Sequence, residues 1–89
     1  MLLQLQRYGE HMSNYNFAFG RALRHFRKMR DLSQEILAFD AGLDRTHISL
    51  LELGKRSPSL HTMGLLCRAL DISLTDLVAA MENERQLEL

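Results

Sequence analysis

The chain has 89 residues, room for one compact domain and not two. A hydrophobic share of 46% beside 25% charged residues is that of an ordinary globular fold, and no apolar run approaches the roughly 20 residues that span a bilayer. Eleven basic and eleven acidic side chains cancel, but they are not mixed: residues 12–70 carry nine basic against five acidic, and residues 71–89 one basic against five acidic. A basic body with an acidic end is polarised, and such polarity bears on partners more than the zero sum does.

The start, Met1 to Arg7, lacks the charged region and small-residue cleavage site of a secretory signal. A single cysteine, Cys67, excludes an internal disulfide and fits a reducing compartment, so a cytoplasmic location is expected. Proline occurs once, at Pro58; valine, isoleucine and threonine are scarce, and the apolar period is helical throughout.

Residues 1–16 read as an N-terminal arm, because Gly9 and Ser13-Asn14-Tyr15-Asn16 interrupt the short apolar face of Leu2, Leu3 and Leu5. A first helix is predicted from about Phe17 to Met29, with Ala18, Ala22, Leu23, Phe26 and Met29 as its core stripe and the arginines mostly opposite. Ser33 is a good N-cap for a second helix, about Gln34 to Asp40, which Gly42 ends by taking a left-handed conformation. Asp44 is placed to cap a third helix reaching Leu53, with Leu43, Ile48 and Leu51 facing inward. The loop Gly54-Lys55-Arg56-Ser57-Pro58 leads to a fourth helix, about Leu60 to Leu70, whose stripe is Leu60, Met63, Leu66, Cys67 and Leu70. A fifth follows Ser73, where Asp76 completes a capping box, with Leu74, Leu77, Val78 and Met81 apolar. Residues 82–89 form an acidic tail expected to fray. The expected fold is all-α, an orthogonal bundle of five helices with its domain at residues 17–81.

The second and third helices carry the functional signal. Only Ala41-Gly42-Leu43 separates them, and so short a turn holds two helices at a steep angle. That crossing needs a small residue, supplied by Ala38; a glycine in the turn, Gly42; and an apolar anchor within the third helix, Ile48. No nucleophile elbow, phosphate loop or paired-carboxylate site accompanies it, so no enzymatic activity and no cofactor are expected. The four histidines and Cys67 match no zinc spacing, and Cys67 lies on the apolar stripe of the fourth helix, so no metal is expected.

The stretch Leu23-Arg24, Arg27, Leu32-Ser33-Gln34-Glu35, Leu37-Ala38, Gly42-Leu43, Ile48-Ser49, Glu52, Gly54-Lys55-Arg56 and Pro58-Ser59-Leu60 resembles the XRE-type helix-turn-helix regulators, the phage repressor and Cro family. The resemblance covers about residues 17–80, and the segment from Gly42 to Ser49 is also similar to that of restriction-modification controller proteins. It implies the λ-repressor-like fold and a recognition helix, about Asp44 to Leu53, in the DNA major groove. On this basis Arg45, Thr46, Ser49 and Leu50 contact bases, and Arg45 suits a two-bond grip on guanine. Ser33, Gln34, His47, Lys55, Arg56 and Ser57 contact phosphates. The resemblance also implies an ion pair between Arg27 and Glu52 that clamps the recognition helix.

A single recognition helix reads only a few base pairs, so a homodimer on two-fold half-sites of double-stranded DNA is expected, with Leu74, Leu77, Val78 and Met81 at its interface. No membrane and no small-molecule ligand is implied. The alternative is an antitoxin-type interaction module that binds both operator DNA and a protein partner.

Overall fold

In the computed structural model the backbone is described for residues 2–87 and the side chains for residues 15–85. Five helices follow one another, α1 (Leu2–Met29), α2 (Gln34–Ala41), α3 (Arg45–Glu52), α4 (Leu60–Leu70) and α5 (Leu74–Leu87), with no strand among the described residues. The helix starts are set by local chemistry. Ser33 and Ser59 each sit in extended backbone and accept from the N–H three residues on, Ile36 at 3.1 Å and Thr62 at 3.0 Å. Ser73 and Asp76 exchange hydrogen bonds at 2.9 and 3.3 Å, the reciprocal box that opens α5.

The core is one cluster drawn from all five helices. Phe19, Ala22 and Leu23 of α1 meet Leu37 and Ala38 of α2, Ile48 and Leu51 of α3, Leu66 and Leu70 of α4, and Leu77 of α5. Helix α1 packs on α3 and α5, and α2 packs on α3 and α4, so the two shortest helices lean on longer neighbours. That matters because eight residues are too few to persist as an isolated helix in water. Cys67 lies in this core, and burial, assisted by the nearby Asp76 carboxylate, pushes its thiol above the usual range.

The structure revises several expectations. Helix α1 begins at Leu2 rather than near Phe17, so its backbone runs through the expected arm; the side chains of residues 1–14 lie outside the described set. No proline interrupts this stretch, and single glycine or asparagine residues weaken a helix without ending it. Likewise α5 continues to Leu87 where fraying was expected, and Glu84 and Arg85 engage α1: Arg21 Nε donates to Glu84 Oε2 at 2.9 Å, and the Arg85 guanidinium stands 4.2 Å from the Tyr15 ring centre. Residues 88 and 89 lie outside the described residues.

Two residues assigned to core stripes are exposed: Met29 at 63%, in the last turn of α1, where the stripe has drifted off the packed face, and Leu60 at 70%, the first residue of α4. Leu77, expected at a dimer interface, is 1% exposed and belongs to the core of its own chain, because its face of α5 turns toward α1 and α4. Met81 is partly buried against the same core, and only Leu74 and Val78 of that set are exposed.

Candidate nucleic-acid interface

The turn between α2 and α3 follows from its residues. Gly42 adopts φ 72°, and its N–H bonds the carbonyl of Phe39 at 3.2 Å while the N–H of Leu43 reaches Ala38 at 2.8 Å. These bonds satisfy carbonyls that a helix end leaves unpaired. Ala38 is buried at the crossing, and Ile48 and Leu51 anchor α3 from below. Asp44 occupies the N-cap position of α3 but makes no side-chain cap bond, contrary to expectation; its carboxylate instead stands at the positive end of the helix dipole.

Helix α3 therefore divides into a holding face and an open one. Ile48 and Leu51 are fully buried, Arg45 and Thr46 are exposed, and His47, Ser49 and Leu50 are half-buried. None of Arg45, Thr46, Ser49 and Leu50 makes a side-chain hydrogen bond among the described residues. The first turn of α3 also leaves backbone N–H groups without helical partners, the arrangement that receives phosphate oxygens.

The end of α3 is held by charge. Arg27 grips Glu52 with two bonds, Nε to Oε2 at 2.6 Å and Nη2 to Oε1 at 2.9 Å, and both side chains are nearly buried at 9% and 4% exposure. The third guanidinium nitrogen donates to the Leu32 carbonyl at 2.8 Å, so one arginine ties α1, the α1–α2 connection and α3 together. The hydrogen bond to Glu52 raises the Arg27 pKa above its already high ordinary value, against the opposing effect of burial. This is the ion pair that the sequence resemblance implies.

Gln34, expected at a phosphate, donates from Nε2 to Glu52 Oε1 at 3.0 Å. One amide hydrogen is thus committed to the clamp, and the second makes no hydrogen bond among the described residues. Ser33 accepts the cap bond through Oγ and keeps its own hydroxyl hydrogen. Ser57 donates its hydroxyl to Asn16 Oδ1 at 2.7 Å, so it serves first to hold its loop on α1. Lys55 and Arg56 on the same loop are exposed and make no ion pair among the described residues.

Four residues with supporting roles went unread in the sequence. Asn16 anchors the α3–α4 loop, and Phe17 packs against Gly54, where an added Cβ would stand 3.0 Å from the Phe17 Cα. Gly20 lets α1 lie on the end of α3: a Cβ there would collide with the carbonyls of Leu51 and Glu52, at 2.6 Å from the latter. Arg30 donates to the carbonyls of Leu70 at 2.7 Å and Asp71 at 3.1 Å, closing the C-terminus of α4. A glycine amid the helical pattern of α1 was the available signal for Gly20, since such a residue costs about 1 kcal/mol against alanine unless a close approach requires it.

Comparison with known proteins places this geometry. The helix-turn-helix family matches residues 23–77. The control protein C.MunI from a Mycoplasma species is 39% identical over 74 residues, which cover 82% of this chain and 100% of that protein. C.BamHI, a control protein of Bacillus amyloliquefaciens, is 37% identical over 67 residues, 74% of this chain and 83% of its own length. The crystal structure of the restriction-modification controller protein C.AhdI from Aeromonas hydrophila superposes with a TM-score of 0.68 at 44% identity, covering 70% of this chain and 94% of that one. The chain belongs to the helix-turn-helix family, among the XRE-type DNA-binding transcription regulators that include the control proteins.

Proposed function

We propose that this regulator binds operator DNA as a homodimer, with α3 in the major groove of each half-site. One observation carries the reading: α3 is fixed from behind by Arg27, Glu52 and Gln34 while Arg45, Thr46, Ser49 and Leu50 are left without other work. A recognition helix must be rigid and its readers uncommitted, because side chains already paired within the protein cannot pair with bases. Lys55 and Arg56 then supply sequence-independent attraction to phosphates. Kinship with the control proteins points to restriction-modification genes as what is regulated. The work is binding, with no catalytic step, and takes place in the cytoplasm, where such DNA is held.

Titration of labelled duplexes selected from a random pool tests the assignment. Arg45→Ala relaxes preference at one base position, at a cost of about 1–3 kcal/mol on the preferred site. Arg56→Ala weakens preferred and random DNA alike and lowers the salt slope by about one unit. Identical effects of the two substitutions on both kinds of DNA refute the division of roles.

A further inference from the structure

The outer face of α1 carries cations that the reading elements leave unused. Arg21, Arg24, His25 and Lys28 fall at steps of three and four residues, so they share one side of the helix, and all four are exposed. With Glu84 of α5 they line an open groove of about 340 Å³. Glu84 pairs with Arg21 at 2.9 Å, while Arg24 and Lys28 make no ion pair among the described residues. Arg21, Arg24 and Lys28 against one carboxylate leave the groove positive. The row is continuous with the α3–α4 loop. Ser57 of that loop donates to Asn16 at 2.7 Å, Phe17 abuts Gly54, and the Arg21 guanidinium stands 5.7 Å from the Phe17 ring centre. Lys55 and Arg56 therefore begin a basic track that runs along α1 to Lys28.

Its chemistry says what it fits. No apolar residue lines the groove, whereas protein–protein interfaces centre on apolar and aromatic anchors and exclude charge from their cores. Interfaces with DNA are polar, wet and strongly positive, and backbone phosphates need charge within reach rather than a pocket. The length also matches: Arg21 and Lys28 stand about 10 Å apart along the helix axis at ~1.5 Å per residue, close to the rise of about three nucleotides of one DNA strand. We infer that this face of α1 is an auxiliary track for the backbone of DNA flanking the half-site, and that Glu84 is its built-in counter-ion, which the duplex displaces to reach Arg21. The inference rests on the DNA-binding reading above and extends it from the half-site to its flanks. None of Ser33, Gln34, Arg45, Thr46, Ser49 and Leu50 lines this groove, so the track adds affinity without touching base preference.

Anisotropy titration of the full chain against two duplexes tests it: the selected site trimmed to its protected bases, and the same site lengthened by about one helical turn of random sequence at each end. The wild type binds the longer duplex more tightly at low salt, and that advantage shrinks about tenfold between roughly 50 and 200 mM salt, the signature of two further phosphate contacts. Arg24→Gln combined with Lys28→Gln abolishes the advantage and leaves affinity and base preference on the trimmed site unchanged. Exchanging the two for each other, Arg24→Lys with Lys28→Arg, retains it, because phosphates are met by charge. Glu84→Gln enlarges the advantage and steepens its salt slope by about one unit, since Arg21 is then unpaired. Equal affinity of the wild type for the two lengths, or an advantage that survives in the double glutamine variant, overturns the inference. So does capture of a separate random duplex in place of the flanks, which moves the track to a second DNA segment. Polyglutamate held more tightly than random duplex of equal charge, and lost in the double glutamine variant, assigns the face to an acidic protein and overturns it too. A wild-type chain that prefers its site but gains nothing from flanks sinks this inference alone, whereas one that binds no duplex sinks the regulator reading with it.

Discussion

Gly20 shows how much one missing methyl group decides. On an exposed helix, glycine to alanine stabilises by about 0.5–1 kcal/mol. At position 20 the added carbon meets backbone carbonyls of Leu51 and Glu52, which cannot swing aside as a side chain does. Gly20→Ala is therefore expected to destabilise by about 1–3 kcal/mol. At Gly64 no described atom beyond its own turn of helix lies within 4 Å of where a Cβ would stand, and alanine there is expected to stabilise the protomer. Urea denaturation of the two variants under monomeric conditions should give shifts of opposite sign; shifts of the same sign would remove the close approach from the account. The roles of Asn16 and Arg30 were equally hidden in the sequence, since a polar residue near a helix start and an arginine in a basic run have many uses. What singles them out is distance in space, Ser57 being 41 residues from Asn16 and Leu70 being 40 from Arg30.

Among the helices, legibility followed the caps. Ser33, Gly42 and Ser73 act locally, within three or four residues, and the boundaries they mark came out where the sequence put them. The outer ends of α1 and α5 have no such punctuation, and what joins the two helices among the described side chains, Arg21 to Glu84 and Arg85 to Tyr15, lies between residues far apart in the sequence. The Arg27–Glu52 pair was legible only through family resemblance, because 25 residues separate its members. Its energetic weight belongs to the element it fixes. Glu52→Ala leaves a nearly buried guanidinium without its carboxylate, and costs about 3–5 kcal/mol in thermal or urea unfolding. It should also reduce DNA binding at temperatures where the fold survives, since Gln34 loses its anchor as well. An unchanged melting temperature would show that α3 is held by its apolar face alone.

Over the whole molecule, the acidic stretch continues α5 as far as Leu87, and Glu84 within it is set against Arg21 of α1. The bridge between Arg21 and Glu84 is half in solvent on the arginine side, so it adds about 0–1 kcal/mol at most. Its larger effect is on the field the molecule presents. Glu84→Gln should change stability by less than about 0.5 kcal/mol while raising the association rate with DNA at low ionic strength. That gain should fade once salt shortens the screening length to a few ångströms. A stopped-flow series in salt checks it; a rate gain that persists at high salt would speak for a direct contact instead.

The division of α3 into a held face and an open face has a consequence for how such a protein can change. Among the described residues no side-chain hydrogen bond involves Arg45, Thr46, Ser49 or Leu50, and the strong side-chain constraints on the helix fall on Ile48, Leu51 and Glu52. Replacements at the four open positions should therefore explore new target sites at little cost in folding, each drifting or being selected independently of the scaffold. A library randomised at those four positions, with the three anchors kept, is the natural starting point for redirecting the protein to a chosen sequence.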